Sequence, residues 1–320
     1  MYSNYLPLVN VITPAYNQGV FLRDTIESVL SQDYPNIELY VLNDGSTDNT
    51  EQILEEYTGR IKWETQKNMG QTATINKGWS LTTGQIITWL NSDDTYLPGA
   101  VKAGVNYLMS HPEAGIVFAD SVFTKADGTP LERTRPLPPF DYKKFVLNCE
   151  NPISQPSSFI RRTVVEKVGQ LDPTFYYFMD WDFWLRAGLH FKIDYIPELW
   201  STYRLHAESK TVAQSKKAAP ELEYMYKKFF AGNDLPAEII DLKKKAMMNM
   251  YFTSGGYFLQ GGDKMSSAKM ARIALRANPS GIFSAQGIHK FLYCSFGNSK
   301  IYRELRNQFG KRKRVQPVTA

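Results

Sequence analysis

The sequence predicts an α/β fold with a mostly parallel central sheet and a helical C-terminal appendage. Three observations support this prediction. Short apolar strings alternate with helix-like stretches over residues 8–119, which is typical of βαβ units in a sheet covered on both faces. Polar residues cluster where the apolar strings end. Beyond about residue 215, only helical patterns remain.

The elements of the first part alternate in order along the chain. Strands are predicted at residues 8–13, 37–43, 61–66, 86–90 and 115–119. Helices are predicted between them at residues 21–30, 47–57, 72–81 and 100–109. Ligands of such sheets bind beyond the carboxyl ends of the strands, so the polar loops that follow the strands are the expected site.

The pattern changes after residue 120. A hairpin is predicted around Asp127-Gly128, a helix at 180–187, two strands at 193–196 and 199–205, and helices at 221–230, 237–252 and 268–277. The resulting division is an α/β domain of residues 1–212 and a basic helical region of residues 213–320.

Charge is distributed unevenly over an otherwise ordinary globular composition of 43% hydrophobic and 22% charged residues. Residues 1–205 carry 17 Lys/Arg and 24 Asp/Glu, whereas residues 206–320 carry 20 and 8. The basic part, with its cluster at residues 311–314, is suited to an anionic membrane surface or an anionic substrate. A solvated helical face with a disordered tail is an equally weighted alternative.

Several classes of protein and site are not expected. No apolar run approaches the ~20 residues that span a bilayer, and no signal-peptide pattern opens the chain. Cys149 and Cys294 lack metal-ligand spacing, so neither a disulfide framework nor a zinc site is expected. We expect a cytoplasmic protein, at most peripheral at the inner face of the membrane, without a nucleic-acid partner.

Asp44 stands in the turn Asn43-Asp44-Gly45-Ser46, where Gly45 permits a sharp change of direction. By itself this is a good junction between a strand and a helix, since Ser46 or Thr47 can cap the helix. The functional alternative is that Asp44 accepts the imide N–H of a uracil or thymine ring.

Asp93 and Asp94 directly follow the buried strand at residues 86–90. They can be acidic residues favoured before a helix. Alternatively, because consecutive side chains point to opposite sides, one can serve a ribose and the other a Mg²⁺ or Mn²⁺ ion that bridges a diphosphate. The loop after the first strand has neither a Gly-x-Gly-x-x-Gly nor a Gly-Lys-Ser/Thr sequence, which excludes nicotinamide-binding and P-loop enzymes.

Two later segments also combine polar and aromatic residues. In Met179-Asp180-Trp181-Asp182, a carboxylate at the helix start is either a cap or a general base, and Trp181 is either core or a surface for stacking on a sugar. His206 is either structural or a ligand of a metal or diphosphate, with Arg204 or Lys210 pairing phosphate oxygens.

The motifs PAYN, LNDGSTDNT, NMGQTATINKG, LNSDD, MDWDFWLR and YRLH, in this order, resemble the family 2 glycosyltransferases of GT-A fold over roughly residues 8–210. The resemblance implies a Rossmann-like nucleotide-diphospho-sugar transferase fold, with residues 1–212 as the catalytic domain. It also implies metal-dependent, inverting transfer of a sugar from a nucleotide-diphosphate donor, UDP or dTDP, to a glycan or a lipid-linked acceptor.

The resemblance also assigns roles to individual residues. Those expected at the nucleotide are Pro14, Tyr16, Asn17, Asp44, Asn68, Gly70 and Asp93. Asp94 and His206 are expected at the metal, Asp180 as the general base with Asp182 in reserve, and Arg204, Lys210 and Trp181 at the diphosphate or the acceptor.

The sequence departs from the family pattern at two positions, where Asn91 and Met179 stand in place of frequent acidic residues. No Gln-x-x-Arg-Trp motif of processive polymerases is present, so a single-addition enzyme is favoured. A non-catalytic GT-A-fold binding or scaffold subunit remains an alternative. A sugar-nucleotide pyrophosphorylase does not, because its Gly-rich, Arg/Lys-containing loop is missing.

Overall fold

The computed structural model describes residues 6–133, 139–206 and 215–297. Its strands are β1 Val9–Ala15, β2 Ile37–Asn43, β3 Lys62–Thr65, β4 Ile86–Trp89, β5 Thr95–Tyr96, β6 Ala114–Lys125, β7 Pro130–Arg133, β8 Ser158–Arg161 and β9 Lys192–Leu205. Its helices are α1 Gly19–Leu30, α2 Thr50–Glu56, α3 Gln71–Leu81, α4 Ala100–Ser110, α5 Tyr142–Asn148, α6 Arg162–Val168, α7 Met179–Ala187, α8 Ser215–Phe229, α9 Ala237–Ile240, α10 Lys243–Gln260, α11 Lys264–Ala277 and α12 Ala285–Phe296.

The described residues form two compact units. The first contains residues 6–133, 139–142 and 151–206, and the second contains residues 143–150 and 215–297. The second unit therefore includes most of α5, which the chain contributes from between elements of the first unit. That residues 1–212 make up a catalytic domain stays a proposal.

One mixed sheet organises the first unit, in the order β3-β2-β1-β4-β8-β6-β9-β5, with β7 paired to β6. The strands β3, β2, β1 and β4 are mutually parallel, β6 and β9 are parallel, and β8 runs antiparallel to both β4 and β6. The predicted α/β class with a mostly parallel sheet is confirmed. The carboxyl ends of β1 to β4 therefore meet at one edge, which we call the loop edge.

Two predicted elements differ from the structure in their continuity. The predicted strands at 193–196 and 199–205 are a single strand, β9, whose register against β6 shifts between Ile196 and Leu199, where Pro197 cannot donate a ladder hydrogen bond. The predicted helix at 237–252 is divided into α9 and α10, with Asp241 and Leu242 between them.

Aromatic packing supports the loop edge from below. Trp89, the last residue of β4, is fully buried between Trp79 and Trp184, with ring centroids 5.6 and 5.7 Å away. Burying each such side chain stabilises the fold by roughly 1.5–3 kcal/mol. The loop that follows β4 therefore begins at a well-packed position.

The second unit is built from helices. Asn249 of α10 donates to the carbonyl of Leu147 at 2.8 Å, and Tyr226 of α8 donates to the carbonyl of Val146 at 3.1 Å, so α5 is held by both helices. No helix in the described parts of the chain combines the length and the apolar composition needed to cross a bilayer.

Candidate active site

The loop after β1 is joined to the loop after β2 by Asn17. Its side-chain oxygen accepts the backbone N–H of Thr47 at 2.8 Å, and its own N–H donates to the Ser46 hydroxyl at 3.0 Å. Asn17 adopts φ 51°, a left-handed conformation that asparagine tolerates better than most residues. Pro14 is buried in β1, two residues beyond the last position paired with β4, so its missing N–H costs no bond to that strand. Tyr16 is 51% exposed at the loop edge.

Asp44 is buried and holds the loop between β3 and α3. One carboxylate oxygen accepts from the Gln66 side chain and from the Met69 N–H, and the other accepts from the Gly70 N–H, each at 2.9 Å. A carboxylate has about four lone-pair sites, so three of them are already used. The predicted contact with a base stays a prediction, and one further N–H is what this carboxylate can still accept.

Glycine is required beside Asp44. Gly45 adopts φ +76°, and a Cβ atom there would lie 2.9 Å from the backbone nitrogen of Asn68. Gly70 adopts φ +86° immediately before α3, while Asn68 lies exposed between the two. This loop therefore follows Asp44 closely, and its exposed residues border the loop edge.

Asp93 contacts the predicted histidine. The His206 Nε2 atom lies 2.9 Å from an Asp93 carboxylate oxygen, which also accepts from the Gln18 side chain at 3.4 Å. The Gln18 side-chain oxygen Oε1 in turn accepts from the Ser92 hydroxyl. The His206 ring packs against Phe21, with centroids 5.0 Å apart. The two partners are 113 residues apart in sequence, and the ends of β4 and β9 bring them together.

Asp94 points the other way, into the protein, as predicted, although Ser92 and Asp93 form a turn rather than a continuation of the strand. Its carboxylate accepts the Arg204 backbone N–H at 2.9 Å and the Asn91 side chain at 3.3 Å, and its carbonyl accepts the Thr25 hydroxyl at 2.8 Å. Burial first, and the neighbouring negative charge of Asp93 second, raise the pKa of Asp94 well above its usual range. The expectation that Asp94 and His206 both bind the metal stays a prediction, and the aspartate that His206 contacts in this structure is Asp93.

The Arg204 side chain is buried, and its donors are engaged within the protein. Its guanidinium donates to the carbonyls of Asp93 and Ala126 and to the Asp24 carboxylate, at 2.8–2.9 Å, and it lies over the Phe21 ring at 4.7 Å. The predicted role at a diphosphate stays a prediction. The geometry favours a structural role, in which the Arg204 side chain holds the turn of Asp93 and Asp94 against α1 and the β6–β7 hairpin.

The two aspartates of α7 lie in different environments. Asp180 is partly exposed and accepts a hydrogen bond from Asn151 at 3.4 Å. Asp182 is buried and accepts from the Arg186 guanidinium at 2.8 Å. Trp181 is 4% exposed and packs into the core, so the face that would stack on a sugar is covered in this structure. Of the two carboxylates, Asp180 is the one accessible to a substrate.

Asn91 connects these parts of the site. Its side-chain oxygen accepts from the Gln71 side chain at 2.7 Å, and its side-chain NH₂ donates to Asp94 and, at 3.4 Å, to the Gln155 side chain. Gln155 in turn donates to the Trp89 carbonyl at 2.7 Å. An amide can donate and accept at once, which an acidic residue at this position could not do when ionised.

From Asn91, two routes lead to the start of α7. One runs through Gln71 to its neighbour Thr72, whose hydroxyl lies 2.8 Å from the Met179 sulfur. The other runs through Gln155 along the loop to Asn151, which donates to Asp180. The structure therefore joins Asp94 and Asp180 by contacts within the first unit.

Sequence reasoning missed Gln18, Gln71, Asn151 and Gln155 as residues of the site. Glutamine and asparagine are common on protein surfaces, so only position could have indicated them. Gln18 directly follows the predicted Tyr16-Asn17 loop, and Asn151 and Gln155 lie in the Pro-containing stretch 151–156. Lys210 and the basic cluster at residues 311–314 lie outside the described residues.

The donor set suits a hard cation only in part. Across the described residues, no three His, Cys, Asp or Glu side chains are gathered so that they could hold a metal ion by themselves. Asp93 and His206 do offer an oxygen and a nitrogen at one point. Ions that neutralise a diphosphate commonly take one or two protein ligands and complete their shell with phosphate oxygens and water. The residues present fit a cation that arrives with a diphosphate.

Comparison with known proteins gives a concordant result. The family model for glycosyl transferase family 2 matches residues 10–169, half of the chain. The uncharacterized glycosyltransferase RP339 of Rickettsia prowazekii is 29% identical over 65% of this chain and 67% of its own length. The putative teichuronic acid biosynthesis glycosyltransferase TuaG of Bacillus subtilis is 33% identical over 41% of this chain and 53% of its own length. The match to TuaG thus spans about half of that relative.

Solved structures share the fold. S. aureus TarS 1–349, in complex with UDP-GlcNAc, aligns with a TM-score of 0.67 at 14% identity, over 97% of this chain and 93% of that one. The mannosyltransferase PcManGT of Pyrobaculum calidifontis, in complex with GDP-Man and Mn²⁺, aligns with a TM-score of 0.60 at 17% identity, over 96% and 85%. At these identities the likeness establishes the GT-A transferase fold alone.

Proposed function

This chain belongs to glycosyl transferase family 2, and on that premise we propose that it transfers a sugar from a nucleotide-diphosphate donor to a hydroxyl of a glycan or lipid-linked acceptor. We place the reaction in the biosynthesis of a cell-surface polysaccharide or glycolipid. The name of TuaG, which refers to teichuronic acid, supports that setting. The UDP-GlcNAc bound to TarS and the GDP-Man bound to PcManGT support a nucleotide-sugar donor.

The observation that carries the proposal is the convergence of two unlike carboxylate sites. Asp93 with His206 is suited to a cation, and the next residue, Asp94, accepts a hydrogen bond from Asn91. Two routes of contacts lead from Asn91 to the start of α7, which carries the accessible Asp180, suited to proton transfer. Glycosyl transfer with inversion uses both functions on opposite sides of the donor sugar, since the diphosphate leaves from one side as the acceptor arrives at the other.

For the reaction itself, we assign the proton transfer to Asp180. Its carboxylate takes the proton of the acceptor hydroxyl while that oxygen forms a bond to the anomeric carbon. The bond from this carbon to the diphosphate breaks, and the diphosphate leaves with the electron pair. Attack from the side opposite the leaving group inverts the anomeric configuration. Met179 before Asp180 is apolar and offers no second base at this point.

A divalent ion, Mn²⁺ or Mg²⁺, would supply positive charge to the leaving diphosphate when it is bound. Asp93 and His206 are the residues we expect to hold it, because their polar atoms lie 2.9 Å apart at the loop edge. Asp94, named as the ligand on sequence grounds, remains a second candidate. Its hydrogen bonds to Arg204 and Asn91 support the alternative that it holds the turn in place.

The donor base is proposed to be uracil or thymine. Asp44 retains capacity for one more N–H, and the imide N–H of these bases is a single donor. The fold by itself does not decide the base, since TarS was solved with UDP-GlcNAc and PcManGT with GDP-Man.

A non-catalytic scaffold is the second candidate function. An accessible Asp180 and the Asp93–His206 pair favour the enzyme, because a scaffold has no need for either. The test is a panel of nucleotide sugars, assayed for release of nucleoside diphosphate with Mn²⁺, with Mg²⁺ and with EDTA. We expect one uridine or thymidine diphosphate sugar to be hydrolysed with metal. Thermal stabilisation by a nucleotide sugar without any turnover, alone or with a mixed acceptor extract, would favour the scaffold.

A further inference from the structure

One face of α11 is basic along its length. At 100° per residue, Met265, Lys269, Arg272 and Arg276 fall within about 60° of one another around the helix axis. All four are exposed, and Met265, at 84%, is the most exposed of the large hydrophobic side chains described. We call these four residues the basic face.

The opposite side of α11 is the packed side. The buried residues of the helix are Ser267, Met270, Ala271 and Ala274, and they are centred about 180° from the basic face. The helix is therefore anchored by its small and apolar side, and the cations are held away from the rest of the unit. From Met265 to Arg276 the basic face extends about 17 Å.

The charges of this face are not neutralised within the described part of the chain. Lys269, Arg272 and Arg276 have no carboxylate partner among the described residues, whereas Lys227 on α8 pairs with Glu223 in the same unit. No acidic residue occurs within α11, and Asp263, which precedes it, is engaged as the helix cap. The face therefore presents concentrated positive charge to whatever approaches it.

We propose that the basic face of α11 docks the chain on an anionic lipid bilayer, with Lys269, Arg272 and Arg276 at the headgroups and Met265 in the apolar boundary. A row of cations on one side of a straight helix suits a flat anionic surface, to which each such residue contributes attraction. Met265 exposes an apolar side chain to water at the end of the row. The boundary between the headgroups and the acyl chains of a bilayer can bury that side chain.

A bilayer explains this face better than a nucleic acid does. Proteins that bind single-stranded nucleic acid place aromatic side chains among the cations so that bases can stack, and α11 contains no aromatic residue. The proposal identifies the surface behind the membrane association inferred from sequence charge. It rests on the proposed function only for its biological setting, because vesicle binding and donor hydrolysis are separate measurements.

The test is sedimentation of the full chain with vesicles of phosphatidylcholine alone and of phosphatidylcholine mixed with phosphatidylglycerol. For the variant K269E/R272E/R276E, the partition coefficient onto the mixed vesicles should be more than tenfold lower than for the wild type. The matched control K217E/K244E/K245E changes the same net charge at exposed lysines of other helices in the same unit and should keep most of the binding. Both variants should keep the circular dichroism and donor hydrolysis of the wild type.

Met265→Ser distinguishes the apolar contact from the charges. It should weaken binding severalfold while leaving the dependence on salt unchanged, since screening acts on the cations alone. Equal losses in the two triple variants would show that net charge, or the cluster at residues 311–314, is responsible, and the proposal would fall. Loss of RNA binding in K269E/R272E/R276E with vesicle binding unchanged would overturn it in favour of a nucleic acid.

Discussion

Replacing Asp180 by Asn should remove the proton acceptor without disturbing the fold. The side chain is partly exposed, Asn has the same shape, and its amide oxygen can still accept from Asn151. We expect turnover to fall by roughly 10²–10⁴-fold, with the donor KM and the free energy of unfolding little changed. The assay is donor hydrolysis with water as the acceptor, because water needs the same base.

Asp182→Asn is the matched control and should have the opposite profile. The Asp182 side chain is 5% exposed and 2.8 Å from the Arg186 guanidinium, which also donates to the carbonyls of Val168 and Gln170. In Asp182→Asn, the side-chain oxygen can still accept a hydrogen bond from Arg186, but the negative charge that pairs with the guanidinium is lost. Because Arg186 is 23% exposed, water offsets part of that loss, and we expect destabilisation of about 2 kcal/mol.

The two variants separate cleanly because positions i and i+2 of a helix do not share a face. Urea unfolding measures the stability of each, and initial rates below the unfolding transition measure turnover. If Asp182→Asn is inactive while folded, and Asp180→Asn keeps most of the activity, the base has been assigned two residues too early.

Three further outcomes are expected. Arg204→Met should destabilise the chain by about 2–4 kcal/mol and weaken donor binding, because the Asp93 carbonyl loses its hydrogen-bond donor. Urea unfolding and the donor KM check this, and an unchanged stability would exclude the structural role of Arg204. Asp44→Asn should raise the donor KM at least tenfold, since an amide NH₂ cannot accept the Gly70 N–H, and an unchanged KM would remove Asp44 from the nucleotide site. Folding raises the pKa of Asp94, so its protonated form contributes stability that is fully present at low pH and is lost as pH rises from about 3.8 through the raised pKa. Over that window the metal-free melting temperature of the wild type should therefore fall relative to that of Asp94→Asn; parallel profiles in thermal melts of both proteins would contradict this.

Much of the fold could be predicted because its signals are local. The strings at 8–13, 37–43 and 86–90 are short, apolar and separated by helical stretches, and they correspond to β1, β2 and β4. What the sequence did not predict was the continuity of β9. Two separate strands were predicted at 193–196 and 199–205, yet β9 continues through a register shift because β6 pairs with it on both sides of the break. A pairing partner far away in sequence decides such cases.

The site could be predicted by residue more readily than by contact. Asp93, Asp94, Asp180 and His206 were named as candidates from their types and positions, and their roles stay predictions, whereas most of the contacts that they make are long-range. The sequence could not indicate that Arg204 pairs with Asp24, 180 residues away, or that Trp181 would be covered by the core. Its alternation did indicate that Asp93 and Asp94 diverge, although it could not say which of them would contact His206.

The central claim, that Asp93 and His206 receive a nucleoside diphosphate together with a divalent ion, is tested most directly by calorimetric titration of UDP into the full chain. The titration is run with Mn²⁺ and then with EDTA, in the wild type and in His206→Ala. We predict binding at least tenfold tighter with Mn²⁺ in the wild type, and a difference that is largely lost in the variant. The same affinity for UDP in Mn²⁺ and in EDTA, or a metal effect that His206→Ala leaves intact, would contradict the account.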